Sequence, residues 1–134
     1  MVSRPTRSQL ITAVWAMRQW RAIHRRLAVA KLELIQVSAA PRLGLAATRG
    51  ARLALRLCHA TCLERSLIMQ RWYLDQGESL DVVIGVQSPG SKFGAHAWLE
   101  RPGQLTQFSY APLVRRTSDG ALVRVGHEQL DAPA

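Results

Sequence analysis

The chain has 134 residues, of which 48% are hydrophobic, 20% charged and 6% aromatic. That is the length of one ordinary domain, with enough apolar material for a modest core. It is too apolar for a disordered chain, and no apolar run reaches the 18 residues or so that a membrane span needs. Eighteen basic residues against nine acidic ones give a net charge of +9, and every base except Lys31 and Lys92 is an arginine. Such a balance points to an anionic partner: a nucleic acid, an acidic peptide or a membrane surface.

Cys58 and Cys62 are the only cysteines. A disulfide-stapled scaffold and a four-cysteine zinc site are therefore excluded. Cys58 and Cys62 with His59 between them are metal-ligand types, but no second Cys/His pair follows at finger-like spacing. No metal and no cofactor is expected. The apolar run Leu10–Met17 is cut by Arg18 and no small-residue cleavage site follows it. Neither a signal peptide nor a membrane anchor is expected, which predicts a cytoplasmic protein.

From Ser8 to about Val37, Leu10, Ala13, Met17, Trp20, Ile23, Leu27, Ala30 and Leu34 recur in steps of three and four. This predicts one long amphipathic helix or two joined ones, with Arg18, Arg21 and Arg25 off the stripe on a basic face. Trp15 lies partly off the stripe, either packed on the core or available to a partner helix. Pro41 breaks the pattern. Arg42–Cys58 again reads as helix, with Ala46, Ala47, Gly50, Leu53 and Leu57 on one side and Arg49, Arg52 and Arg56 on another. A third helix starts on a capping box, Thr61-Cys62-Leu63-Glu64, in which Glu64 reaches back to the cap residue. Leu63, Leu67, Ile68 and Trp72 bury it, and Gln76-Gly77 ends it.

The period then changes from 3.6 to 2. Leu80–Gln87 is a nearly all-apolar, β-branched run that predicts a central strand. Ser88–Gly94 reads as a loop, and Ala95–Glu100 and Gln104–Ser109 as strands around a Pro102-Gly103 turn. Leu122–Val125 is a further short strand, and Gly126–Ala134 a frayed tail. Helices first and an antiparallel sheet second make an α+β fold. The chain reads as a single domain, 1–134, with Arg-striped helices over 8–58 and a Cys-bearing helix and sheet over 61–125.

Two residue types stand where chemistry would use them. Cys62 occupies the first position of its helix, where unpaired N–H groups and the helix dipole favour negative charge. His96 lies in a strand between Ala95 and Ala97, which leave room beside it, and shares its strand face with Trp98 and Glu100. A helix-start Cys followed by a strand His is the chain order of papain-like catalysis, with a nucleophile at the helix N-terminus and a backbone N–H for the oxyanion. The bland alternatives are a small buried hydrophobe for Cys62 and a satisfied core residue for His96. His24, His59 and His127 read as structural or surface residues, and the Arg stripes as solvated helix faces.

Three blocks, TCLERSLIMQRWYLDQG at Thr61–Gly77, VVIGVQ at Val82–Gln87 and AHAWLE at Ala95–Glu100, stand in the order and at the spacing of one family. Here the chain resembles the transglutaminase-like leader peptidase of lasso peptide biosynthesis, well over Arg49–Arg116 and loosely in the helices before it. The length also matches the form in which leader recognition resides in a separate small protein. The resemblance implies a reduced papain-like fold, with the Cys helix packed on a small antiparallel sheet. It further implies a cysteine peptidase that removes the leader from a ribosomally made precursor, with Cys62 as nucleophile and His96 as general base. The implied partners are the precursor, the leader-recognition protein and an ATP-dependent cyclase that closes the freed core.

One position departs from the family. Where it carries an Asp to orient the imidazole, about twelve residues after the His, this chain has Phe108, and Leu105–Ser109 contains no carboxylate. Gln107 is the favoured substitute, through its side-chain carbonyl, with Ser109 and, from the Ser118-Asp119-Gly120 turn, Asp119 as alternatives. An incomplete triad is the third reading. It would slow the enzyme or leave a scaffold that only docks the precursor and recognition protein. A nucleic-acid-binding module has the charge but lacks helix-turn-helix spacing and an aromatic stacking platform. The arginines are expected to sit away from Cys62 and His96, as a docking surface for an acidic peptide or a recognition protein, with weak membrane contact as a further alternative.

Overall fold

A computed structural model describes residues 4–87, 95–104 and 110–125. The first helix, α1 (Arg7–Leu27), opens on a capping box: the Thr6 hydroxyl accepts from the Gln9 N–H and the Gln9 side chain accepts from the Thr6 N–H. It ends about ten residues before the predicted boundary, and only a 3₁₀ turn at Leu32–Leu34 follows. The reason lies in residues 35–44, where burial alternates (Ile35 and Val37 buried, Gln36 and Ser38 exposed) as in an extended chain. Distant side chains satisfy that segment's backbone. Gln19 accepts from Ser38 N, Asp75 from Ala40 N and Gln76 from Gly44 N, while Trp15 donates to Ala39 O, Gln76 to Pro41 O and Arg116 to Ile35 O. A segment paired this way needs no helix of its own to be buried.

The face of α1 turned inward is Thr12, Ala16 and Ile23. Of the predicted stripe, Ile23 is buried and Ala13, Trp20 and Leu27 pack against the core, whereas Leu10 and Met17 are exposed and Leu34, beyond the helix, is 67% exposed. Small residues set this rotation. At Gly50 of the second helix, α2 (Thr48–Leu57), an added Cβ would stand 2.0 Å from the Gln9 carbonyl oxygen, so the helices touch backbone to backbone there. Buried Thr12 is satisfied within its own helix, its hydroxyl donating to Ser8 O at 2.8 Å. Trp15 packs against the core, its ring centroid 6.0 Å from that of Trp72, so it is not a free docking aromatic. On α2 the inward face is Gly50, Ala51, Ala54 and Leu55. The predicted side holds only in part, since Leu53 is exposed and Leu57 is 71% exposed.

The third helix, α3 (Cys62–Asp75), has the predicted capping box, with Thr61 Oγ1 accepting from Glu64 N and Glu64 Oε1 from Thr61 N. Its end is set by Gly77 at φ +96°, a left-handed backbone that glycine adopts freely. Leu67, Ile68 and Trp72 are fully buried.

Four strands follow: β1 (Asp81–Gln87), β2 (Ala95–Glu100), β3 (Tyr110–Arg116) and β4 (Leu122–Arg124), in the antiparallel order β2-β1-β3-β4. The β1 run is central as predicted, but β2 does not form a hairpin with the chain after Pro102-Gly103. That chain crosses to the other side of β1 and pairs there as β3. Gln104 is not in a strand, and Leu105–Ser109 lie outside the described residues. Pro112 hides β3 from a reading by pattern, since proline cannot donate to a ladder; it is accommodated at a register shift opposite Ile84 and Gly85. Val82, Ile84, Ala97 and Leu99 face the helices and join one hydrophobic cluster with Ala16, Ile23, Leu55 and Trp72. The structure is α+β, with the Cys-bearing helix on a small antiparallel sheet, as the sequence predicts. Among the described residues no helix is long and apolar enough to cross a membrane.

Candidate active site

Cys62 is the first residue of α3, held by the Thr61 cap, and is half-buried with a free thiol. Glu64, two residues on, turns away from it into the helix layer and is buried. Its carboxylate accepts from Thr61 N at 2.9 Å and Trp20 Nε1 at 3.2 Å and lies 2.6 Å from His24 Nδ1. Burial pushes the Glu64 carboxyl up, but these hydrogen bonds and the His24 charge outweigh it and hold the pKa below the usual carboxylate value. Glu64 thus locks the N-terminus of α3 to α1. The capping box is legible in the sequence; the α1 partners, 40 and 44 residues away, are not.

His96 lies on β2 with its ring stacked on Trp98, centroids 5.7 Å apart and planes 20° apart. Trp98 Nε1 donates to buried Glu100 Oε1 at 2.9 Å. The predicted shared face is therefore real: His96, Trp98 and Glu100 form a row in which a buried carboxylate fixes the indole and the indole supports the imidazole. The signal for the Trp98–Glu100 bond was present in period-2 spacing and in the need of a buried indole N–H for an acceptor. Across β1 this row faces Gly85, Val83 and Asp81, the sheet face away from the hydrophobic cluster, and buried Asp81 pairs with Arg115 at 3.1 Å.

Cys62 and His96 nevertheless line one cavity, of about 370 Å³, because β2 is the edge strand and its rim is reached from the start of α3. The volume falls within the roughly 300–1,000 Å³ typical of ligand clefts. Trp98, Met69 and Tyr73 supply an apolar and aromatic wall, and Arg52, Arg56 and Arg65 line the rest. This corrects the expectation that the arginine stripes stand apart from the Cys–His pair. Arg52 and Arg56 reach the cavity because α2 hands directly over to α3. The turn between them is made by His59, whose φ of +54° is rare for a residue with a side chain, and Ala60 N donates to Leu55 O at 3.0 Å.

Asp119 is not brought to His96. It lies in the β3–β4 turn, where its carboxylate accepts from the Thr117 hydroxyl and the Ala121 N–H, and these bonds, Thr117 foremost, lower its pKa. It lines a different cavity, against Gln70 and Arg71 of α3, with no lining residue in common with the Cys62 cavity. Gln107, Phe108, Ser109 and His127 lie outside the described residues. Cys58 caps the end of α2 as a half-buried free thiol, and among the described residues no three His, Cys, Asp or Glu side chains converge on a point where a metal would bind.

A Cys-bearing helix packed on a small antiparallel sheet is consistent with a transglutaminase-like core. The transglutaminase-like superfamily matches residues 9–115, most of the chain, and the protein belongs to it. The match takes in nearly all of α1 and of β3, and all of α2, the Cys helix, β1 and β2, so the arginine-bearing helices are part of the family's domain. The superfamily's fold is associated with cysteine peptidase and transglutaminase activity. No curated protein and no solved structure matched the chain significantly.

Proposed function

We propose that the protein is a cysteine peptidase that cleaves the leader from a ribosomally made lasso precursor. The observation that carries this reading is that Cys62 and His96, from a helix and a strand 34 residues apart, line one cavity in a transglutaminase-like chain. The three sequence blocks that resemble the lasso leader peptidases contain both residues.

In this mechanism His96 takes the Cys62 thiol proton as the sulfur attacks the carbonyl at the leader–core junction. The oxyanion is met by backbone N–H groups at the start of α3. Collapse expels the amine of the core peptide, which takes the proton from His96, and leaves the leader as a thioester on Cys62. Water, deprotonated by His96, then releases the leader acid and the thiol. Gln107 is the proposed orienting residue for the imidazole. The protein acts in the cytoplasm, takes its precursor from a separate leader-recognition protein and passes the freed amine to an ATP-dependent cyclase.

The decisive experiment is cleavage of a candidate precursor, encoded beside this chain, by wild type and by Cys62→Ala. Loss of cleavage in a folded Cys62→Ala is the expected result; cleavage at the wild-type rate removes Cys62 from the mechanism. Release of ammonia from a glutamine peptide, with no backbone scission, would replace the peptidase with a transglutaminase. Iodoacetamide near neutral pH should label Cys62 faster than Cys58. Equal slow labelling would return Cys62 to the role of a packing residue.

A further inference from the structure

We propose that Arg52, Arg56 and Arg65 make the Cys62–His96 cavity a carboxylate-binding subsite, so that the peptide it takes carries an Asp or Glu close to the scissile bond. This rests on the peptidase reading for what is cut, but not for what is bound. The three guanidinium groups come from two helices and line the cavity that Cys62 and His96 line. Among the described residues no Asp or Glu lines it.

Helix electrostatics favour Arg56, in the last turn of α2, but not its pairing with Arg52 or the place of Arg65. Arg52 and Arg56 stand one turn apart on α2, a spacing at which like charges destabilise a helix. Arg65 stands in the first turn of α3, where the dipole favours anions over cations. The acidic residue of that turn, Glu64, is committed to Thr61, Trp20 and His24. The positive potential of the cavity is therefore not offset from within α2 and α3. Arg52 is also held in place, its NH2 donating to Tyr73 Oη at 2.7 Å on the cavity wall. A guanidinium fixed in this way meets a carboxylate with little further ordering.

The surface charge of α1 offers a competing explanation for any acidic preference, because Arg18, Arg21 and Arg25 are exposed there. The test must therefore locate the binding. Coumarin-labelled ten-residue peptides with one Asp or Glu scanned through a Gly/Ser/Ala background, and their Asn and Gln twins, are titrated into the full chain bearing Cys62→Ala. The best acidic peptide should bind at least about fivefold tighter than its amide twin, the scale of one or two partly exposed charge contacts. That margin should shrink as salt rises from about 50 mM to 500 mM.

In wild type the same peptide should slow alkylation of Cys62 and leave Cys58 unaffected. Arg52→Gln with Arg56→Gln should bring the Asp/Asn ratio towards one, and Arg56→Glu alone should lower it, because two arginines and one carboxylate then line the cavity. Equal affinity for acid and amide twins overturns the subsite. So does an acidic preference that survives the Arg52/Arg56 pair of substitutions but disappears with Arg18→Gln, Arg21→Gln and Arg25→Gln. Protection of Cys62 by acidic peptides in a chain that cleaves no precursor would keep the subsite and remove the peptidase. Cleavage indifferent to acidic residues would do the reverse.

Discussion

Two cavities of similar size flank α3, about 370 Å³ on the Cys62 side and about 350 Å³ on the Gln70 side, and arginine serves a different end in each. On the Gln70 side Arg116 is buried. Its NH2 donates to Ile35 O at 2.7 Å, and its own carbonyl accepts from Gln70 Nε2, which also donates to Leu80 O. It ties the extended segment 35–44, α3 and the sheet together. Its Nε has no hydrogen-bond partner, and desolvation pulls its pKa below the ordinary arginine value. On the Cys62 side the arginines are exposed and face a cavity that no carboxylate lines among the described residues. A buried arginine held by a backbone carbonyl is a structural fixture, whereas exposed arginines in a cavity that no described carboxylate lines keep their charge for a ligand.

The largest expected effect separates the two sides most sharply. Cys62→Ala should lower precursor cleavage by roughly three orders of magnitude or more, while urea denaturation shows a loss of no more than about 1 kcal/mol. A large loss of stability instead would make the thiol part of the core. Gly50→Ala should follow. Its methyl meets the Gln9 carbonyl and forces α1 from α2, costing about 3 kcal/mol. Because α2 carries Arg52 and Arg56, any residual activity should lose its acidic preference too.

Arg116→Ala should cost about 2 kcal/mol through lost packing and an unpaired Ile35 carbonyl. Arg116→Met should cost less, because the unbranched side chain keeps most of the packing that alanine gives up. If Arg116→Met instead abolishes cleavage in a folded protein, the two sides of α3 are not independent.

Glu64 gives a smaller effect with a definite sign. Its pKa is held below the ordinary value of 4.5 in the folded protein, so its stabilisation is present above that value and is lost as pH falls through the folded one. Glu64→Gln should cost about 1–2 kcal/mol at pH 7 and flatten the acid limb of a stability–pH curve below the ordinary carboxylate value. An unchanged acid limb would mean that the link to His24, itself 58% exposed, contributes nothing. The smallest change is His59→Gly, which should stabilise by up to about 1 kcal/mol by relieving a left-handed backbone in the α2–α3 turn. A melting temperature that does not rise would show that the His59 side chain offsets its own strain.

Much of this was legible in the residues because it is local. A capping box, a switch of period from 3.6 to 2 and an alternating strand are properties of neighbours along the chain. They located α3, β1 and β2, placed Cys62 at a helix start and put His96, Trp98 and Glu100 on one strand face. The first helix was over-extended because apolar steps of three and four run on to Leu34, while what unwinds the chain, side chains of Gln19, Asp75, Gln76 and Arg116, is supplied from elsewhere. β3 was missed because Pro112 is compatible with a ladder only where a register shift receives it.

What only the tertiary structure decided is which charges and which cavities go together. Helix periodicity places Arg52 and Arg56 on a face, but the direction of that face depends on the close approach of α1 at Gly50 and on the turn at His59. Those contacts bring the arginines to Cys62 and His96, and the β3–β4 turn takes Asp119 to the other side of α3. Local propensity acts over a few residues, whereas the packing that orients an exposed charge is set by every element the helix touches.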